Sequence, residues 1–235
     1  REFFAHHQWK DVLGTSSVIR RVVAEDKTLA EMEDPVALIG ENGTGKSFFA
    51  QCIHNGSPRA KKPYIVINAG TIAQQDAARV LFGSDDGAKP RMGLFELAGG
   101  GTIALQGLGD ASEAFFSCLR QVLLQHSYFA VGGVTTIPFS ARLLALVTPE
   151  ERRRIPRDLW DQLSVFSLNL PLLKDRQEDV STLFRFFLLR ESILMPPRTQ
   201  KELEEILSFY SWPANLISLS AVSKRYILLY QQATC

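Results

Sequence analysis

Short apolar runs, each closed by polar or glycine-rich residues, recur along most of the chain. Residues 35–39, 64–68, 102–105, 142–147 and 165–170 are such runs, and their length and branched side chains predict buried strands. Stretches of helical spacing lie between them. Residues 18–32 carry Val18, Val22, Leu29 and Met32 on one predicted stripe, with a turn and N-cap at Leu13-Gly14-Thr15-Ser16-Ser17. Residues 48–54 and 76–82 predict two further helices, and Asp110-Ala111-Ser112-Glu113 has the spacing of a capping box that opens a helix to about Gln125. Residues 128–133 predict a hairpin, and residues 58–63 a solvated basic turn. Strands alternating with helices argue for an α/β fold with a parallel sheet covered on both faces.

The pattern changes after Pro171. Residues 177–192, 199–210 and 216–231 all have helical spacing, interrupted at Pro196-Pro197 and Trp212-Pro213. The apolar run Leu183-Phe184-Arg185-Phe186-Phe187-Leu188-Leu189 is expected to form the core of this all-helical end.

Chemistry enters at Gly40-Glu41-Asn42-Gly43-Thr44-Gly45-Lys46-Ser47, which fits the phosphate-binding loop G-x-x-x-x-G-K-[ST] between a predicted strand and a predicted helix. Glycines let successive backbone N–H groups turn inward around a phosphate. The helix N-terminus adds partial positive charge. Lys46 is expected to reach the β- and γ-phosphates, and Ser47 to ligate Mg²⁺.

Composition narrows the alternatives. With 235 residues and 46% hydrophobic content the chain can bury a substantial core, and a net charge of +1 gives no global field for holding nucleic acid. No apolar run approaches ~18 residues, so no membrane span is predicted. Cys52, Cys118 and Cys235 stand far apart and outside any C-x-x-C pair, which points to reduced thiols and a cytoplasmic location. His6 and His7 sit near the start, where no other metal ligand is obvious, and are expected at the surface.

Several motifs in order resemble the central AAA+ domain of bacterial enhancer-binding proteins, the NtrC-like activators of sigma-54 RNA polymerase. They are the loop itself, Leu13-Gly14-Thr15-Ser16, Ile53-His54-Asn55-Gly56-Ser57-Pro58-Arg59-Ala60, Leu81-Phe82-Gly83, Gly93-Leu94-Phe95-Glu96-Leu97-Ala98-Gly99-Gly100-Gly101-Thr102, Leu170-Pro171-Leu172-Leu173-Lys174-Asp175-Arg176-Gln177-Glu178-Asp179 and Trp212-Pro213-Ala214-Asn215. The resemblance implies a RecA-like α/β subdomain over residues 1–173 and a helical lid over 174–235. It also implies ATP or ADP as ligand, possible Mg²⁺, and self-association. Contacts to RNA polymerase and DNA would run through domains outside this chain.

The resemblance is weakest where that family does chemistry. Its Asp-Glu pair after the third predicted strand, which holds Mg²⁺ and prepares the water, corresponds to Gln106 and Gly107. Its γ-phosphate-sensing Asn corresponds to Thr148, its two arginine fingers fall near Pro156 and at Gln162, and its lid arginine corresponds to Ile217. Arg154 and Arg157 are out-of-register substitutes for the fingers, and Asp110 is a nearby carboxylate to which the capping role is assigned. The loop that touches sigma-54 is reduced to Gly87-Ala88 before Lys89-Pro90-Arg91. Phosphoryl transfer needs the metal-bound charge and the oriented water as well as the cradle. The expectation is therefore a pseudo-ATPase: a nucleotide-binding regulatory domain without sigma-54 contact, favouring a dimer over a hexamer. Its rivals are a weakly active ATPase and a purely structural dimerisation module. Some degenerate members of the family, including a biofilm regulator with a similar pattern of losses, respond to cyclic di-GMP. Lys10, Arg20, Arg21 and Arg176 are the arginine and lysine candidates for such a ligand, against their reading as ordinary surface charges.

Overall fold

The structure is a computed structural model that describes residues 4–85, 90–190, 193, 203, 206, 207 and 209–234. At its centre is a five-stranded sheet built from β1 (Val36–Ile39), β2 (Tyr64–Asn68), β5 (Thr102–Gln106), β8 (Arg142–Val147) and β9 (Phe166–Asn169). The strand order is β2-β5-β8-β1-β9 and every pairing is parallel. Two short antiparallel ladders flank it: β3 (Gly83–Ser84) with β4 (Arg91–Met92), and β6 (Ser127–Phe129) with β7 (Thr136–Pro138).

Alternation along each strand sends side chains to two cores. Ala37, Ile65, Ile67, Ile103, Leu105, Leu143 and Ala145 meet α3 (Ala77–Phe82), α4 (Leu94–Ala98), α5 (Glu113–Gln125) and α7 (Arg157–Leu163) on one face. Val36, Leu38, Ala104, Leu144, Leu146 and Leu168 meet α1 (Ser17–Ala30) and α2 (Lys46–Gly56) on the other. Each fully buried Leu or Ile of this kind contributes roughly 1.5–3 kcal/mol. Between β8 and α7 sits the single turn α6 (Pro149–Arg152).

A third core joins α8 (Val180–Arg190) to α9 (Leu216–Thr234) through Leu173, Val180, Leu183, Phe184, Leu188, Trp212 and Leu219. Within the apolar run of α8, Leu183, Phe184 and Leu188 are buried while Phe186 and Leu189 are exposed. Among the described residues no helix is long and apolar enough to cross a membrane. Cys52 and Cys118 are buried free thiols. Cys235, Gly87-Ala88-Lys89, Pro196-Pro197 and most of the helix expected at 199–210 lie outside the described residues.

Three local expectations are corrected. The α1 stripe is Ile19, Val22, Asp26, Leu29 and Ala30; Val18 is exposed, and Met32 lies beyond the end of the helix, which Ser16 caps through Ile19 N. Asp26 is tolerated there because Trp9 Nε1 donates to it at 2.6 Å, and burial pushes its carboxyl up to about 7. The cap of α5 is Ser112, whose side chain accepts from Phe115 N; Asp110 stands two residues earlier in a 3₁₀ turn and pairs with Arg154 Nη1 at 2.6 Å. The basic turn is not wholly solvated: Arg59 Nη1 donates to the carbonyls of Gly100, Gly101 and Ser140, and its guanidinium pairs with Glu33.

Candidate functional site

The glycine loop leaves the sheet at the C-terminal end of β1, the edge at which open α/β sheets bind ligands. Gly40 N donates to Val147 O at 3.1 Å, fixing the first loop residue to β8. Gly43 and Gly45 adopt φ of 79° and 108°, a left-handed region that costs other residues about 1–2 kcal/mol each. A Cβ at Gly43 would also come within 2.3 Å of Ala214 O. The loop then enters α2, whose first N–H groups have no partner inside the helix. Thr44 is buried and its hydroxyl donates to Glu41 O at 2.8 Å, bracing the turn.

Lys46 lies at the rim of this cradle, its ammonium donating to Gly40 O at 2.7 Å and to Glu41 O at 3.1 Å. Burial lowers its pKa, opposed by the carboxylates of Glu151 and Glu41. Ser47 Oγ accepts from Gln106 Nε2 at 3.0 Å, so the end of β5 reaches the residue assigned to the metal. The helical end of the chain roofs the loop. Leu216 N donates to Gly43 O at 3.1 Å, Asn215 Nδ2 to Asn42 O at 3.0 Å, and Asn215 Oδ1 accepts from Leu173 N at 2.8 Å.

Two cavities open here. One, about 540 Å³, is lined by Asn42, Gly43, Gly45, Lys46, Ser47, Gln106, Gly107, Glu151 and Ile217, among others. The other, about 270 Å³ and largely apolar, lies among Leu13, Phe48, Phe49, Arg176, Leu183 and Phe187. Both are lined by His7, Gly45, Phe48 and Leu216, so they adjoin. Arg176 is buried, and among the described residues its Nε has no hydrogen-bond partner.

Most of the sequence-derived positions converge on this place. Gln106, Gly107 and Ile217 line the larger cavity. Gly107 has φ 64°, and the space a Cβ would need is taken by Asn68 Oδ1, 2.4 Å away. Thr148 caps α6: its hydroxyl accepts from Glu151 N at 3.1 Å while its own N–H donates to Glu151 Oε2 at 2.7 Å. Gln162 lies on α7 and donates to Asp158 O. Lys10, Arg20 and Arg21 are exposed and line neither cavity, whereas Arg176 lines the apolar one. His7 is exposed, as expected, and its ring packs on Phe48 at 4.8 Å. Sequence reading passed over Glu151 and Asn68. The Thr148-x-x-Glu151 capping-box spacing marks the first, and the parallel pairing of Asn68 with Gln106 places the second at the same sheet edge.

A parallel sheet with a glycine loop at the end of its central strands and a helical roof on that loop is an AAA+ domain of RecA-like fold. The chain belongs to the family of the sigma-54 interaction domain, whose model matches residues 12–169. It is similar to the Nif-specific regulatory protein of Sinorhizobium fredii, 35% identical over 95% of this chain and 40% of that protein. It is also similar to the regulatory protein AtoC of Escherichia coli, 30% identical over 94% of this chain and 51% of that protein. The chain thus spans about half or less of the length of these relatives. Among solved structures, NtrX from Brucella abortus in complex with ATP superposes with a TM-score of 0.81 at 25% identity, covering 93% of this chain and 53% of that one. The RuvB branch migration motor of Thermotoga maritima shares the fold, with a TM-score of 0.68 at 14% identity over 100% of this chain and 68% of that one.

Proposed function

We propose that this chain is the nucleotide-binding regulatory domain of a bacterial transcription regulator, holding ATP or ADP without hydrolysing it and without contacting sigma-54. One observation carries the binding half: a phosphate-sized glycine cradle adjoins an apolar slot. The cavity over the loop presents helix N–H groups, the Lys46 ammonium and the Ser47 hydroxyl to phosphates. The slot between Phe48, Phe49, Leu183 and Phe187 offers flat apolar walls for a base, with the buried Arg176 Nε as a donor. Their volumes are of the order expected for small-molecule sites, ~300–1,000 Å³. Gly40, Glu41, Asn42, Gly43, Thr44, Gly45, Lys46 and Ser47 would hold the phosphates, and Ser47 would face the metal. Crystals of NtrX with ATP and with ADP support the same ligand class.

The silent half rests on the opposite rim. At positions where the family places carboxylates and a sensing amide, Gln106 bonds to Ser47, Gly107 makes room for Asn68, and Thr148 is used up as a helix cap. Among the described residues, no arginine side chain lines the cavity over the loop. We further propose that the α/β part (1–173) and the lid (174–235) act as separate subdomains. Self-association would favour a dimer, and the regulator, a cytoplasmic protein, would engage DNA and RNA polymerase through its other domains.

A calorimetric titration tests the binding half. Lys46→Ala removes the charge that meets the phosphates and is expected to weaken ATP and ADP at least tenfold, about 1.4 kcal/mol. Unchanged affinity would place the nucleotide elsewhere.

A further inference from the structure

The larger cavity has one acidic side chain among its lining residues, Glu151, and nothing in the resemblance assigns it a role. It stands on α6, which begins where β8 ends, between the strand that carries the loop and the strand that carries Gln106. The side chain packs against the turn after β5: a Cβ on Gly109 would come within 2.8 Å of Glu151 Cγ. One carboxylate oxygen is fixed by Thr148 N at 2.7 Å. No hydrogen bond engages the other among the described residues. The group is therefore held in place while keeping acceptor capacity.

The Ser47 hydroxyl and the Gln106 amide line the same cavity, and the amide's O and N can exchange places by a flip. A hydroxyl, an amide carbonyl and one carboxylate are all hard oxygen donors. Mg²⁺ is characteristically bound by one or two carboxylates together with substrate phosphates and waters, and not by an all-protein cage. The donor set fits that ion. Asp110, the other acidic residue near the end of β5, does not line the cavity and pairs with Arg154.

We infer that Glu151 supplies, from the end of β8, the carboxylate that Gln106 and Gly107 do not supply from the end of β5, so that the domain takes its nucleotide as a magnesium complex. The inference rests on nucleotide binding at the loop as proposed above. In this arrangement Ser47 and Glu151 would hold the metal, which would neutralise phosphate charge, and Lys46 would meet the phosphates. With no metal, the same carboxylate repels the phosphates.

Glu151→Gln separates this role from simple capping, because glutamine keeps the capping-box hydrogen bond while losing the charge. The measurement is calorimetric affinity for ATP with excess MgCl₂ and with EDTA. In the wild type, magnesium is expected to tighten binding about tenfold, a coupling of about 1.4 kcal/mol. In Glu151→Gln the tightening should fall below about twofold, and affinity in EDTA should equal or exceed the wild type's. Wild-type protein that binds ATP with no magnesium effect, or a Glu151→Gln variant with the full magnesium effect, overturns the inference and leaves nucleotide binding intact. Wild-type protein that binds no nucleotide under either condition overturns the reading beneath it.

Discussion

The two sides of the nucleotide cleft are built by different means. On the loop side the backbone sets the shape, through positive-φ glycines and a helix start that carries Lys46 and Ser47. On the opposite side, at the ends of β5 and β8, the chemistry would belong to side chains. The loop's contacts are also structural, since Gly40 N holds β8 and the carbonyls of Asn42 and Gly43 accept from the lid. A change in the loop therefore disturbs the joint between sheet and lid whether or not any phosphate is cleaved. The other rim is held by side chains instead: Gln106 donates to Ser47, Thr148 and Glu151 cap α6 between them, and Glu151 brings one carboxylate to the cavity. A preserved loop is thus evidence about binding and folding, and says little about hydrolysis.

The sharpest way to break this comparison is to rebuild the rim. The wild type is expected to release phosphate from ATP near background. Lost metal, water-orienting and arginine groups each cost such enzymes on the order of 10²–10⁵ in rate, and they act as a unit. Gln106→Asp with Gly107→Glu restores two carboxylates in name. The structure adds an obstacle: residue 107 sits at φ 64°, and its Cβ would meet Asn68 Oδ1 at 2.4 Å. Turnover should stay near background, with some loss of thermal stability from the strained position. Steady-state phosphate release at the rate of an active ATPase would show that the rim was silent only for want of those carboxylates.

A smaller effect tests the loop side. Asn215 is buried and joins Leu173 N to Asn42 O through one side chain. Asn215→Ala leaves the Leu173 N–H unsatisfied in a buried position, at about 1–3 kcal/mol. Thermal unfolding should report that loss, and nucleotide affinity should fall with it because the lid is no longer held to the loop. Stability lost with affinity unchanged would mean that the lid bond supports the fold without shaping the cradle.

These contrasts also explain what the chain disclosed before its structure. The five strands and the loop were legible because buried parallel strands and phosphate loops are local patterns in which each residue's role depends on its neighbours in sequence. The rim was legible only through resemblance, as a set of departures. Nothing local to Gly107 marks Asn68 as its neighbour, since that contact is made across the sheet. Glu151 was passed over for the same reason: in sequence it is one of several charges in Glu150-Glu151-Arg152-Arg153-Arg154. Only the end of β8 turns it toward Lys46. The capping of α5 misled in the reverse direction, because Asp110 and Ser112 are both good caps. In the structure Ser112 caps the helix while Asp110 pairs with Arg154 from a distant segment.

That ion pair supplies the last and smallest test. From the sequence, Arg154 is a candidate out-of-register substitute for an arginine finger, a role that would require its guanidinium to reach a neighbouring copy's phosphates. In the structure it reaches back to Asp110 at 2.6 Å within its own chain, with both side chains about half exposed to solvent or more. Such surface pairs contribute about 0–1 kcal/mol, screened by salt. Arg154→Ala should therefore shift the unfolding temperature slightly at low salt and less at high salt. In analytical ultracentrifugation with ATP the wild type is expected to sediment as a dimer, and the variant as the same species. A wild-type hexamer that Arg154→Ala dissolves would identify this residue as a working finger. The rim would then have been rebuilt out of register and not emptied, and the contrast between the two sides of the cleft would fail at its most exposed point.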